Sequence, residues 1–183
     1  STLNPRPWKS YQIVAEDICQ ALTGLGFRHV MAIPDDISLL KTLQENEIDM
    51  AWLNTGGVQG YEPLTHTPAF MEMAGVPYIG HDPLTAGVLD NKLLFKQKMI
   101  ALGLPTPMFA HWSPSHHGKF SLDLPHFQYF LAYNRNKPLI VKPISGRASL
   151  NVEFICCAAE LPDTVNSVHE KTHYDVLIEE YIP

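Results

Sequence analysis

Two apolar runs that each end in charge constrain this chain more than any other feature. Pro138-Leu139-Ile140-Val141-Lys142-Pro143 reads as a buried strand that delivers a lysine at its end. Val176-Leu177-Ile178-Glu179-Glu180-Tyr181-Ile182 reads as a second strand, ending in two acids and an aromatic. A strand-borne lysine facing a strand-borne acidic segment is one way to grip a nucleotide. The lysine takes phosphate charge, and the backbone of the acidic segment takes the base.

The 183 residues suffice for a core, in one or two small domains. The net charge of −6, with no basic stripe, argues against a nucleic-acid partner. Local lysines can still reverse that sign inside one cleft. Cys19, Cys156 and Cys157 form no C-x-x-C pattern, so neither a zinc site nor a disulfide framework is expected. Cys156 and Cys157 fall in an expected strand, with their side chains on opposite faces. A reduced, cytoplasmic protein is the simplest reading. Neither a signal peptide nor an apolar run of membrane-spanning length is visible, so no membrane partner is expected. A start at Ser1 and an end at Pro183 directly after a strand suggest a fragment.

The apolar pattern predicts a helix over 8–25, a strand at 30–33, a helix at 38–45 and a strand at 48–53. Asn54-Thr55-Gly56-Gly57 turns the chain before a helix at 67–74 and a strand at 76–79. This alternation predicts a parallel sheet with helices on its faces. From residue 84 the order changes. One helix is expected at 90–102, with Asp90 as its cap and Gly103 as its stop. An extended 106–112 leads to a polar loop at 113–121 and an aromatic helix at 124–133. Strands at 139–142, 152–156 and 176–182, with a helix at 162–171, complete an α+β unit.

Several residues could carry chemistry, and each has a plainer alternative. Lys142 sits at the mouth of a buried strand, where it could meet phosphate oxygens; alternatively it caps a strand edge. Lys92 opens a helix and could be a second phosphate lysine; alternatively it is solvated beside Lys96 and Lys98. Gly146-Arg147-Ala148-Ser149-Leu150-Asn151 is a small-residue loop whose N–H groups, with the Ser149 hydroxyl and Arg147, could approach phosphate. It could equally be a hairpin turn. Neither G-x-x-x-x-G-K-[ST] nor G-x-G-x-x-G is present. Glu179 and Tyr181 should share one face of the last strand, and Glu180 and Ile182 the other, with Ile182 packing on a base. The alternative there is an edge strand kept soluble by its acids. His116 and His117 read as surface residues, His126 shows no metal pattern, and His66 is a candidate for substrate binding.

Taken in order, Met71-Glu72-Met73-Ala74-Gly75-Val76-Pro77-Tyr78-Ile79-Gly80, Leu89-Asp90-Asn91-Lys92, Leu139–Pro143 and Leu177–Ile182 resemble the D-alanine–D-alanine ligase family of ATP-grasp enzymes. The resemblance implies an α/β fold. A Rossmann-like pre-ATP-grasp domain over 1–83 would precede the first part of an ATP-grasp α+β domain over 84–183. It implies ATP bound by Lys92, Lys142, Ser149, Glu179, Glu180, Tyr181 and Ile182. It also implies a role in peptidoglycan biosynthesis and cell wall biogenesis, small-molecule amino acids as substrates, and compatibility with a homodimer. The chain departs from the family pattern in three places. An extra residue stands between Asp90 and Lys92, Ala148 and Asn151 replace a usual serine and glycine, and the glycine-rich opening before Trp8 is missing.

The family's catalytic arginine, its ribose acid and its Mg2+ ligands fall beyond Pro183, so no catalytic or metal residue is assigned here. The implied reaction joins a carboxylate to an amine through an acylphosphate, and these residues alone are expected to be inactive. Two alternatives stay open: an ATP-grasp ligase for another acid–amine pair, and a degenerate nucleotide- or partner-binding module. If the last strand lies at a sheet edge, the isolated chain should be marginally stable or self-associate.

Overall fold

The computed structural model describes residues 8–57, 62–147 and 149–183, with side chains from residue 11 onward. They separate into two compact units, 1–87 and 88–183.

The first unit is built on short elements. Helix α1 (Trp8–Gly24) comes first, and α2 (Leu39–Glu45) follows a turn in which Asp36 accepts hydrogen bonds from the backbone N–H and the hydroxyl of Ser38. Strand β1 (Ala51–Trp52) leads through a 3-10 turn (Pro63–Thr65) to α3 (His66–Ala74) and β2 (Tyr78–Ile79). The two strands pair in parallel, Ala51 with Tyr78 and Trp52 with Ile79. Leu39, Leu43, Met71 and Val76 form the core. The strand expected at 30–33 is absent, because that segment pairs with no strand among the described residues. Ile33 packs on this core from an unpaired segment, so burial alone accounts for its apolar character. Gly75 ends α3 in the left-handed region, which a glycine enters at no steric cost. Helix α4 (Pro83–Asp90) then carries the chain onward.

The second unit continues with α5 (Lys92–Ala101), β3 (Phe109–Trp112) and α6 (Pro114–His117). Helix α7 (Pro125–Asn134), β4 (Leu139–Pro143), β5 (Glu153–Ile155), α8 (Leu161–Thr172) and β6 (Val176–Glu180) complete it. The four strands form an antiparallel sheet in the order β3-β6-β4-β5. Along β4, Leu139 and Val141 are fully buried and alternate with half-exposed Ile140 and Lys142. The buried set packs in one core with Phe127 and Phe130 of α7 and Leu161 and Val165 of α8. Each such side chain contributes about 1.5–3 kcal/mol by leaving water. The other face of the sheet stays available for polar chemistry.

The structure corrects several expectations. Strand β6 is an interior strand, paired with β3 on one side and β4 on the other, so its acids do not guard an edge. Instability from an open edge is therefore not expected there. The polar loop at 113–121 contains a helical turn, α6. Cys156 and Cys157 lie beyond the end of β5, where they lead into a 3-10 turn, so strand alternation does not orient them. No described helix is long and apolar enough to cross a membrane.

Candidate functional site

The helix expected over 90–102 is two helices, and the break builds the site. Asn91 is extended and caps α5: its side chain accepts from the N–H groups of Leu93 and Leu94, both at 3.1 Å. Asp90 is therefore not the cap. It ends α4 and turns its buried carboxylate to the loop after β4. There it accepts from the Ser145 hydroxyl at 2.5 Å and pairs with Arg147 at 3.2 Å. The residue between Asp90 and Lys92 is thus the helix cap itself, which frees the acid to tie down the loop.

Lys92, the first residue of α5, is fastened to the same loop. Its N–H donates to the Ile144 carbonyl at 2.7 Å, and its ammonium donates to the Gly146 carbonyl at 2.8 Å. Burial holds its pKa below the ordinary lysine value, partly offset by Asp90 and lowered further by Lys142 and Arg147. A helix N-terminus and a desolvated lysine together favour an anion at this point.

Residues opposite one another in a sheet share a face. Ile140 stands opposite both Glu179 of β6 and Phe154 of β5, and Glu179 stands opposite Phe109 of β3. This row, with Lys142 two residues on from Ile140, forms the face away from the core. The Glu179 carboxylate is divided between two lysines: Lys142 at 2.5 Å on one oxygen and Lys96 at 3.0 Å on the other. Lys92, Lys142, Gly146, Arg147 and Ser149, floored by Ile140, line a cleft of about 320 Å³. Lysines and an arginine dominate the charge of its lining, which suits a polyanion despite the acidic chain.

The loop over the cleft is bent by unusual backbone. Ser149 and Asn151 both adopt positive φ, +55° and +58°. Asparagine tolerates this region better than most residues, so Asn151 can serve where the family pattern has glycine. The Ala148 departure lies outside the described residues.

Four of the expected site residues, Lys92, Lys142, Ser149 and Glu179, gather in or beside the cleft. Glu180 does not. Its side chain accepts from the Met108 N–H at 2.7 Å and its own N–H donates to the Met108 carbonyl, which fastens it to the segment before β3. Tyr181 lies past the end of β6. Its N–H donates to the Pro138 carbonyl and its ring meets Phe154 edge-on at 5.2 Å. Ile182 follows, exposed.

Lys96 was not among the expected site residues, since the sequence groups it with solvated lysines. It is 5 % exposed and also donates to the Thr106 hydroxyl at 2.7 Å. Its spacing of one helical turn from Lys92 is the signal that could have found it, since such residues share a helix face.

In the first unit, the turn after β1 is tightly fixed. The Thr55 hydroxyl donates to Asp35 and accepts from the Gly57 N–H, and the Thr67 hydroxyl also donates to Asp35. A Cβ on Gly57 would collide with the Pro63 carbonyl, so only glycine fits. The rest of the altered turn, 58–60, lies outside the described residues. His66 opens α3. In the second unit, His117 and His126 stack at 4.2 Å, and His111 meets Asp175 at 3.0 Å. Among the described residues no group of three or more His, Cys, Asp or Glu could hold a metal ion.

No family model matches the chain. An uncharacterized protein of Sinorhizobium fredii is 33% identical over 97% of this chain and 51% of its own length. A D-alanine–D-alanine ligase of Marinomonas sp. is 31% identical over 76% of this chain and 40% of its own length. The solved D-alanine–D-alanine ligase of Bacillus anthracis aligns with a TM-score of 0.75 and 25% identity, covering 98% of this chain and 55% of that one. The chain spans about half the length of the curated relatives it matches. Its resemblance to D-alanine–D-alanine ligases therefore holds in sequence and in fold, and the fold is a mixed α/β arrangement found in those enzymes.

Proposed function

Starting from this likeness to D-alanine–D-alanine ligases, we propose that these residues are the nucleotide-gripping front part of an ATP-grasp carboxylate–amine ligase of that type. Residues 1–83 are the domain that precedes the ATP-grasp fold, and 84–183 are its opening portion. The observation that carries the reading is the cationic cleft in which Lys92 and Lys142 flank the small-residue loop.

The triphosphate lies in this cleft. Lys92 and Lys142 face its oxygens, and the Ser149 hydroxyl and Arg147 close over them. The base lies against the 179–182 segment, with Ile182 on its ring and the backbone past β6 reading its edge. Glu180 and Tyr181 hold that backbone in place through their bonds to Met108 and Pro138. A carboxylate oxygen of the first amino acid attacks the γ-phosphorus, the bond to the β-phosphate oxygen breaks, and ADP leaves. The amine of the second then attacks the carbonyl carbon, and the carbon–oxygen bond to phosphate breaks. The product is an amide, and phosphate departs. The lysines stabilise charge that builds on the phosphate oxygens as the first bond breaks, and fixed positions supply most of the remaining acceleration.

The family resemblance also implies Mg2+. Asp90 and Glu179 do not fit it: Asp90 is committed to Arg147 and the Ser145 hydroxyl, Glu179 to Lys96 and Lys142, and no metal-binding cluster exists among the described residues. The substrates are small amino acids, and the setting is the cytoplasm.

ADP release by the gene-length protein with Mg-ATP and a panel of amino acids tests the reading. Release that depends on D-alanine supports it. Release with another acid–amine pair moves the substrate and keeps the chemistry. ATP binding with no release for any pair turns the protein into a non-catalytic nucleotide-binding module.

A further inference from the structure

We infer that Lys96, which lies outside the lining of the cleft, is the positioning residue that keeps Lys142 available to phosphate. The inference rests on the nucleotide-binding reading above. The Lys96 ammonium is engaged on three sides: one Glu179 oxygen at 3.0 Å, the Thr106 hydroxyl at 2.7 Å, and the ring of Phe109 with its centroid at 4.9 Å. Its side chain is only 6% exposed, against 20% for Lys142. Both lysines take opposite oxygens of one carboxylate.

A carboxylate facing Lys142 alone would cancel its charge, and a phosphate would have to displace the carboxylate to gain a cation. With Lys96 sharing the carboxylate, the trio of two lysines and one acid carries a net positive charge. Lys142, the more exposed of the two lysines, is the one that offers it to the cleft. The buried lysine also fixes where the carboxylate sits, because the Thr106 hydroxyl and the Phe109 ring hold its ammonium in place beside Glu179. Lys96 thus acts on phosphate through Glu179 and Lys142 without touching it.

The test compares ATP with adenosine, which shares the base contacts and lacks the phosphates. ATP is titrated by calorimetry and adenosine by ligand-observed NMR, on the wild type, Lys96→Met, Thr106→Val and the double variant Lys96→Met/Glu179→Gln. Lys96→Met is expected to weaken ATP about tenfold with adenosine nearly unchanged, the effect of removing one charge-assisted hydrogen bond. In the double variant the ATP-to-adenosine ratio should return toward that of the wild type, because no carboxylate remains to neutralise Lys142. A merely structural role for Lys96 would not produce that return. Thr106→Val leaves the ion pairs in place and decides the matter if Lys96→Met does not fold. It should lower the ratio about two- to fivefold, the share of one neutral hydrogen bond. Equal losses for ATP and adenosine, or an unchanged ratio in Thr106→Val, overturn the inference while leaving the nucleotide site standing. A wild-type protein that binds no ATP overturns both.

Discussion

Replacing Glu179 with glutamine removes the anion between two lysines and keeps the side-chain shape. Lys96 is then a buried ammonium that has lost its direct ion-pair partner. Breaking a buried pair in this way costs about 3–5 kcal/mol. The Thr106 hydroxyl and the Phe109 ring still hold the ammonium, and the glutamine oxygen still accepts a hydrogen bond worth about 1 kcal/mol. A net loss of about 2–4 kcal/mol is expected, or a shift of about 1.5 M in the urea midpoint at a slope of about 2 kcal/mol/M. The loss should also depend on pH. Burial holds Lys96 below 10.5, with Glu179 pulling it back up. The unfolded chain therefore binds this proton more tightly, and stability rises with pH between the folded value and 10.5. Without Glu179 the folded value falls further and the window widens downward, so the deficit of the variant shrinks as pH rises toward 10.5. Urea unfolding followed by circular dichroism from neutral pH to pH 10 measures both. A variant within about 0.5 kcal/mol of the wild type, or a deficit that does not change with pH, would mean that Glu179 does not sustain the charge of Lys96 in the folded protein.

Other outcomes follow from the same geometry. Ile178→Ala, in the interior strand and fully buried, should cost about 2–5 kcal/mol, whereas Met73→Ala, 71% exposed, should stay within about 0.5 kcal/mol; thermal melts separate the two. Asn151→Ala should cost about 1 kcal/mol because its φ of +58° is unfavourable for a Cβ without a local hydrogen-bonding group, while Asn151→Gly should lose less; urea unfolding ranks the two variants. Burial holds His111 and His126 below 6.5; His117 adds repulsion at both rings, His116 at His111 and His111 at His126, while Asp175 opposes the shift at His111 and the His111 carbonyl opposes it at His126. Both rings are therefore protonated more easily in the unfolded chain, so their stability contribution is complete above pH 6.5 and falls as pH drops below it. Replacing His111 with asparagine should reduce the slope of melting temperature against pH in that range.

The apolar runs at 138–143 and 176–182 were enough to place the centre of the second unit because strand alternation is local. Leu139 and Val141 point one way and Lys142 the other whatever the strands beside them. The position of β6 between β3 and β4 was not legible, since strand order depends on pairing between distant segments. Lys96 was hidden for a related reason. Lys92, Lys96 and Lys98 are alike in sequence, and only the packing of α5 shows which one faces Glu179. Asn91 looks in sequence like an interruption of a motif, although asparagine is as good an N-cap as aspartate and its place before Lys92 fits that role. In the first unit, short strands of two residues give too little alternation to define their ends, and Ile33 packs without pairing.

In the proposed function, the cleft between α5 and the loop after β4 holds the phosphates of ATP. Calorimetric titration of ATP into the wild type and Lys142→Ala, with circular dichroism to verify folding, tests it most directly. Saturable binding by the wild type, weakened about tenfold or more in a folded Lys142→Ala, is the predicted result. Equal affinity in the two proteins would contradict it.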